Sequence, residues 1–245
     1  MSPAASATYF GANSWLLEIA NLRILVDPWL VDDLVFPPGP WLLKGELPKP
    51  WPVPNQLDLL LLTQGLADHA HPATLSRLPK DLRVVTSAGG AKVAKALGFS
   101  RIQSLRPGQK HRFQGVQIEA TAGARVPMVE NGYLLDWSDG SLYLEPHGVL
   151  DPSLRQRRVN TLITPVVDLG LPLAGNFITG ARVLTELVER FQPDQILAST
   201  TGGDVQFTGL ISRFLQGTEP AKRWDATAIT TPEPGTPIML AKAQG

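Results

Sequence analysis

Leu57-Asp58-Leu59-Leu60-Leu61-Leu62-Thr63-Gln64-Gly65-Leu66-Ala67-Asp68-His69-Ala70-His71 is the stretch on which the fold turns. Leu57 to Thr63 is an almost unbroken apolar run of strand length, the pattern of a strand covered on both faces. Gln64-Gly65 then makes a tight turn. Asp68, His69 and His71 follow just beyond the strand end, where side chains from separate segments converge on a site. Pro72 suits the first turn of a short helix over Thr74 to Leu78.

Upstream, Ser14 to Ile19 and Arg23 to Val26 are apolar runs joined by a short turn, a hairpin signal. Asp27-Pro28 ends the second strand, since proline removes a ladder donor. Residues 28–56 carry Pro28, Pro37, Pro38, Pro40, Pro48, Pro50, Pro52 and Pro54, together with Trp29, Phe36, Trp41 and Trp51. Regular structure is not expected there. So long a loop reads either as a lid or partner-binding flap, or as aromatics packed down in a satellite core. Downstream, Val84 to Thr86 reads as a strand and Gly90 to Leu97 as a helix ended by Gly98. Strands are expected over Arg101–Leu105, His111–Phe113 and Val116–Ala120, and a hairpin over Tyr133–Trp137 and Ser141–Glu145. Thr161 to Pro165 is a strand, Thr179 to Phe191 the clearest amphipathic helix, Gln195 to Ala198 a strand and Val205 to Leu215 a last helix. Two β-rich halves, each followed by β/α, fit an α/β, four-layer αββα sandwich spanning residues 1–245 as one domain.

Composition narrows the function. Lys plus Arg and Asp plus Glu stand at 22 each, so the formal charge is zero and no basic stripe marks a nucleic-acid binder. The Arg155, Arg157, Arg158 group reads as a solvated face. With no cysteine, thiolate metal sites, disulfides and cysteine nucleophiles are excluded. Neither a secretory leader nor an apolar run of spanning length is evident, which sets the expectation of a soluble, cytoplasmic protein.

Four histidines exist: His69, His71, His111 and His147. Asp68-His69 and Glu145-Pro146-His147 both lie past strand ends, and imidazole with carboxylate suits zinc, manganese or iron. His111 has no acidic company. Glu130-Asn131 could line the same pocket, and Asp168 lies beyond a strand end that could face it. Ser199 to Asp204 is a polar loop able to hold an anion, without the lysine and spacing of a nucleotide loop. There is no Gly-x-Ser-x-Gly elbow.

Several of these features resemble the metallo-β-lactamase superfamily, nearest the group of sugar-lactone phosphate hydrolases and related metal-dependent hydrolases. Gly11 to Ile19 followed by Ile24-Leu25-Val26-Asp27-Pro28-Trp29 is similar to that group's first hairpin and its Asp-Pro. Asp58 to Thr63 with Asp68-His69 resembles the signature Thr-His-x-His-x-Asp-His. Gly132-Tyr133 and Gly140 to Tyr143, leading to Glu145, resemble the hairpin that ends in a bridging aspartate, and Gln192 to Ala198 the last strand. The departures are specific. The two leading histidines align with Gln64 and Leu66, the third falls near Thr121 to Arg125, and the closing one near Thr200 and Thr201.

The resemblance therefore implies that the first of two metal positions is lost. It implies at most one divalent ion (zinc, manganese or iron), on Asp68, His69 and Glu145, with His147 or His71 as the fourth ligand. The activity implied is hydrolysis of a small ester, lactone or phosphoester; Asp168, from its place beyond a strand end, is read as the candidate base or as a turn residue. The same residues have a second reading. Asp68 caps the following helix, His69 sits in a dry polar network left from a lost site, and Glu145 pairs with His147. The protein is then an inactive descendant binding a ligand or protein, or a membrane surface, through the cleft and flap. No nucleic-acid partner is expected on either reading.

Overall fold

The computed structural model describes residues 4–124, 129–172, 175–200, 205–219, 223–224 and 227–243. Two large sheets carry the architecture. The first has seven strands in the order Pro237–Met239, Ser6–Gly11, Ser14–Ile19, Leu22–Val26, Leu59–Leu62, Arg83–Thr86 and Arg101–Ser104. The second has eight, in the order Arg223–Trp224, Thr227–Thr230, Gln195–Ser199, Thr161–Pro165, Gly140–Leu144, Asn131–Trp137, Val116–Ala122 and Lys110–Phe113. Within each sheet a run of antiparallel hairpins joins a run of parallel strands: Leu22–Val26 pairs parallel with Leu59–Leu62, and Gly140–Leu144 parallel with Thr161–Pro165.

Alternation along the strands builds the layers. Leu59 and Leu61 point into a core shared with Ile118, Tyr133, Leu135, Leu142, Leu144 and Ile163 of the second sheet. Leu60 and Leu62 point the other way, onto Leu75 of helix α1 (Pro72–Ser76) and Ala94 of helix α2 (Ala88–Ala96). On the far side, Leu134, Tyr143, Leu162 and Ile196 meet Leu187 and Phe191 of helix α3 (Gly180–Phe191). The order is thus helix, sheet, sheet, helix: the αββα sandwich expected from the sequence.

One local expectation is extended and two fail. The expected hairpin of Ser14–Ile19 with Leu22–Val26 forms, and Ser6–Gly11 adds a third strand by pairing with Ser14–Ile19 across a turn at residues 12–13. Residues 28–56 do contain regular structure: Leu34–Val35 and Lys44–Glu46 pair with each other and with the distant Gln206–Thr208. The helix expected over Val205 to Leu215 does not form. Gly209 takes φ +104°, Phe207 is drawn into the small sheet opposite Gly45, and only a 3-10 turn at Ile211–Phe214 remains.

The flap is divided. Trp29, Leu30, Val31 and Leu34 are buried, whereas Trp41 is 63% exposed. A further small sheet joins Asp168–Leu171 and Gly175–Thr179, which precede α3, to Gln216–Gly217, which follows it. No helix among the described residues is long and apolar enough to cross a membrane.

Candidate metal centre

The site sits where three strand ends meet: those closing at Val26, Leu62 and Leu144. Asp27, with φ +41°, lies directly after the first. Its chain is pinned there by Ser14, whose Oγ accepts from Trp29 N at 2.8 Å and donates to the Asp27 carbonyl at 3.0 Å. The Asp27 carboxylate, wholly buried, accepts from the backbone N–H of Thr63 at 2.8 Å and from its hydroxyl. It also accepts from His69 Nδ1 at 2.8 Å. A carboxylate only accepts, so the Nδ1 proton faces Asp27 and Nε2 turns the other way. There Nε2 lies 3.3 Å from Asp68 Oδ2 and 3.3 Å from Asn13 Nδ2.

His147, from the opposite sheet, likewise has a buried carboxylate against its Nδ1. Its Nδ1 contacts Glu130 Oε2, which also accepts from Gln64 Nε2 at 2.8 Å. The rings of His69 and His147 stand 4.9 Å apart between centroids. Asp68, His69 and His147 each offer one donor atom, all within 4.8 Å of one another.

Electrostatics explains what these groups want. Burial disfavours the charged form of His69, but Asp68 and Asp27 outweigh it and hold its pKa well above the ordinary value. Burial likewise opposes a charged His147, and Glu130 outweighs it, raising that pKa too. Burial would raise the Asp68 pKa, but the neighbouring His69 pulls it down. Burial dominates at Asp27, and its carboxyl is raised. Glu145 is pushed up to about 8, by burial first and by Glu130 second. Asp68 Oδ1, Gln64 Oε1 and Glu130 Oε1 are buried acceptors with no protein partner. The site is rich in acceptors and short of positive charge, and two nitrogens and a carboxylate oxygen form a donor set that fits one divalent ion.

The expected site residues fall into two groups. Asp68, His69 and His147 come together. Glu145 does not join them: the chain turns after Leu144, Gly148 adopts φ +77°, and the Glu145 carboxylate accepts from the N–H groups of His147, at 3.2 Å, and Gly148. Nor does it pair with His147, whose partner is Glu130. Asp168 is engaged elsewhere. One oxygen accepts from the backbone N–H of Arg182 in the first turn of α3 at 3.2 Å, and the other meets the Arg182 side chain at 2.9 Å.

Asp68 does not cap α1. That helix begins after His71, whose ring contacts Thr74 Oγ1 at 3.2 Å and the Asp33 carbonyl at 3.3 Å, so His71 is not a fourth ligand in this arrangement. Thr121, at the place of the third histidine, contacts the Tyr143 hydroxyl at 3.2 Å. Thr200 Oγ1 donates to Asn13 Oδ1 at 3.0 Å. The rest of the 199–204 loop, and Arg125, lie outside the described residues.

Sequence reading gave no role at the centre to Asp27 or Asn13 as supports, read Gln64 as a hydrogen-bonding amide in place of a ligand without naming its partner, and placed Glu130 only at the pocket wall. The signal for Asp27 was present, in an acidic residue closing a buried strand ahead of proline. Nothing in the spacing of Glu130 and Gln64, 66 residues apart, announces their hydrogen bond.

Comparisons with known proteins agree with this architecture. Residues 6–199 match the family model described as Beta-lactamase superfamily domain. No curated protein matches the chain in sequence. Among solved structures, a possible metal-dependent hydrolase from Veillonella parvula is similar at TM-score 0.70 and 16% identity, over 97% of this chain and 100% of that one. The isothiocyanate hydrolase from Delia radicum gut bacteria is similar at TM-score 0.62 and 18% identity, over 80% and 84%. Igni18, a metallo hydrolase from Ignicoccus hospitalis, is similar at TM-score 0.61 and 13% identity, over 82% and 84%. At these identities the likeness is one of fold. The family match covers most of the chain, and it belongs to the beta-lactamase superfamily domain family.

Proposed function

We propose that the protein is a metal-dependent hydrolase of a small ester, lactone or phosphoester, working with one divalent ion held by Asp68, His69 and His147. The observation that carries this is the convergence of three donor atoms within 4.8 Å, two of them on imidazoles that each face a buried carboxylate through Nδ1. Such carboxylate–histidine pairs fix the tautomer and aim Nε2 at an ion. When bound, the ion supplies Lewis-acid polarisation and lowers the pKa of a bound water. Asp27 and Glu130 keep the imidazoles oriented, and Glu145, spent on its own turn, fixes the approach of His147. Metal analysis by mass spectrometry on tag-free protein is expected to find about one zinc, manganese or iron per chain. The ion is expected to be absent from His69→Ala and His147→Ala. Wild-type protein without metal after supplementation overturns this reading, and with metal it enters an esterase, lactonase and phosphodiesterase screen.

A second reading, a binding module, is favoured by one surface. Trp41, Phe207, Leu210, Ser212 and Arg213 line an open hollow of about 520 Å³, with Leu210 and Phe214 more than half exposed. Apolar prongs beside a cation suit the surface of a lipid bilayer. Co-sedimentation with anionic liposomes, lost in Trp41→Ala/Phe214→Ala, supports that reading. A wild-type protein that stays in the supernatant removes it. Trp51 is unsuited to this test, because it packs half-buried against Phe10.

A further inference from the structure

The two histidines of the centre are supported by neighbouring residues of one strand end. Thr63 holds the Asp27 carboxylate through its N–H and hydroxyl, and Asp27 holds His69. The next residue, Gln64, holds the Glu130 carboxylate at 2.8 Å, and the same Glu130 oxygen is in ion-pair contact with His147 Nδ1. The two arms are also joined by backbone, since Asn131 N donates to the Thr63 carbonyl at 3.0 Å.

We infer that Gln64 and Glu130 are positioning residues for His147, forming a buried strut equivalent to the Thr63–Asp27 arm that serves His69. Three observations support it. The amide orientation of Gln64 is forced, because a carboxylate accepts only and the NH2 group must face it. Gln64 and Glu130 are 1% and 0% exposed, so solvent does not compete for their hydrogen bond. Room for the carboxylate is provided by Gly123, where a methyl group would stand 2.9 Å from Glu130 Oε1. The oxygens left over, Gln64 Oε1 and Glu130 Oε1, are two protein ligands without an imidazole. That is too few for a second ion of their own, which needs four or more ligands. The strut therefore serves the one ion of the proposed function, on which this inference rests, rather than a separate site.

The test uses the full-length protein and cobalt(II) as the probe, with affinity read from its absorption spectrum. Gln64→Met and Glu130→Ala are expected to weaken cobalt binding about 10–100-fold. Gly123→Ala, which removes no functional group and only crowds the carboxylate, is expected to weaken it in the same direction. Asn160→Ala, which strips hydrogen bonds from Ser141 and Asp194 outside the centre, lowers stability and leaves affinity unchanged. A second readout needs no metal: the His147 Nδ1 proton is expected to be visible and slowly exchanging by NMR in metal-free wild type, and lost in Glu130→Ala. Cobalt affinity within threefold of wild type in both Gln64→Met and Glu130→Ala overturns the strut. A wild-type chain that binds no cobalt overturns the proposed function instead, and the Nδ1 proton then decides the strut alone.

Discussion

Asp27 gathers three donors into a fully buried carboxylate: the Thr63 N–H, the Thr63 hydroxyl and His69 Nδ1. Removing it leaves an imidazole and a backbone amide without partners in the core. Asp27→Ala is expected to cost about 3–5 kcal/mol, the range for breaking a buried pair from one side, read as a fall in the urea midpoint at unchanged slope. Asp151 gives a pH-dependent counterpart away from the centre. Burial opposes its charge, yet Ser153 and the N–H of Ala122, at 2.8 Å, outweigh that and hold its pKa below the ordinary value. A depressed carboxyl stabilises above its unfolded pKa of about 3.9 and loses that contribution as pH falls through the lower folded value. Asp151→Asn should therefore be about 1 kcal/mol less stable than wild type at pH 7. The gap should close below about pH 3, in the acid range where protonation removes the same charge from wild type. A gap that persists unchanged in acid would contradict this account of Asp151.

Among the elements, those whose partners are near in sequence were legible, and those whose partners are distant were not. The hairpins at Ser14–Val26 and Asn131–Leu144 and the amphipathic α3 declare themselves through period and turn residues. Pro237–Met239 pairs with Ser6–Thr8, and Gln206–Thr208 with Lys44–Glu46, and no local pattern carries that information. Val205, Phe207, Leu210, Ile211 and Phe214 have helical spacing, but Gly209 and the long-range pairing of Phe207 override it. At the centre, Asp68, His69 and His147 were legible because metal chemistry limits the residue types. Glu145 lay outside the cluster because a turn at Gly148 redirects its carboxylate, which strand periodicity cannot foresee. Close packing between elements gives a further expectation. Gly65 approaches the first turn of α2 so tightly that a methyl group would stand 2.7 Å from the Gly89 carbonyl. Gly65→Ala must push strand end and helix apart, at about 1–3 kcal/mol, measured as a lower Tm. An unchanged Tm would mean that the contact is looser than described.

For the whole molecule, the ion proposed for the centre would join segments contributed by both sheets, Asp68 and His69 from one and His147 from the other. Binding to the folded chain alone stabilises it by mass action. At a hundred times its Kd an ion adds about 2.7 kcal/mol, which raises Tm by roughly 5–10 °C in a chain of this size. A zinc, manganese or iron titration followed by thermal melting should show that rise, abolished in Asp68→Ala. Melting curves that superimpose with and without each ion would argue against the shared ion.

Among the described residues, Arg101–Ser104 forms one edge of the first sheet and Lys110–Phe113 one edge of the second. Unpaired N–H and C=O groups along such edges invite another copy of the chain to dock and propagate the ladder. Here the rims carry the exposed Arg101 and Arg112, with Lys110 paired to Glu119, so two copies approaching at like edges meet like charge. At these two edges the sandwich thereby carries a guard against aggregation.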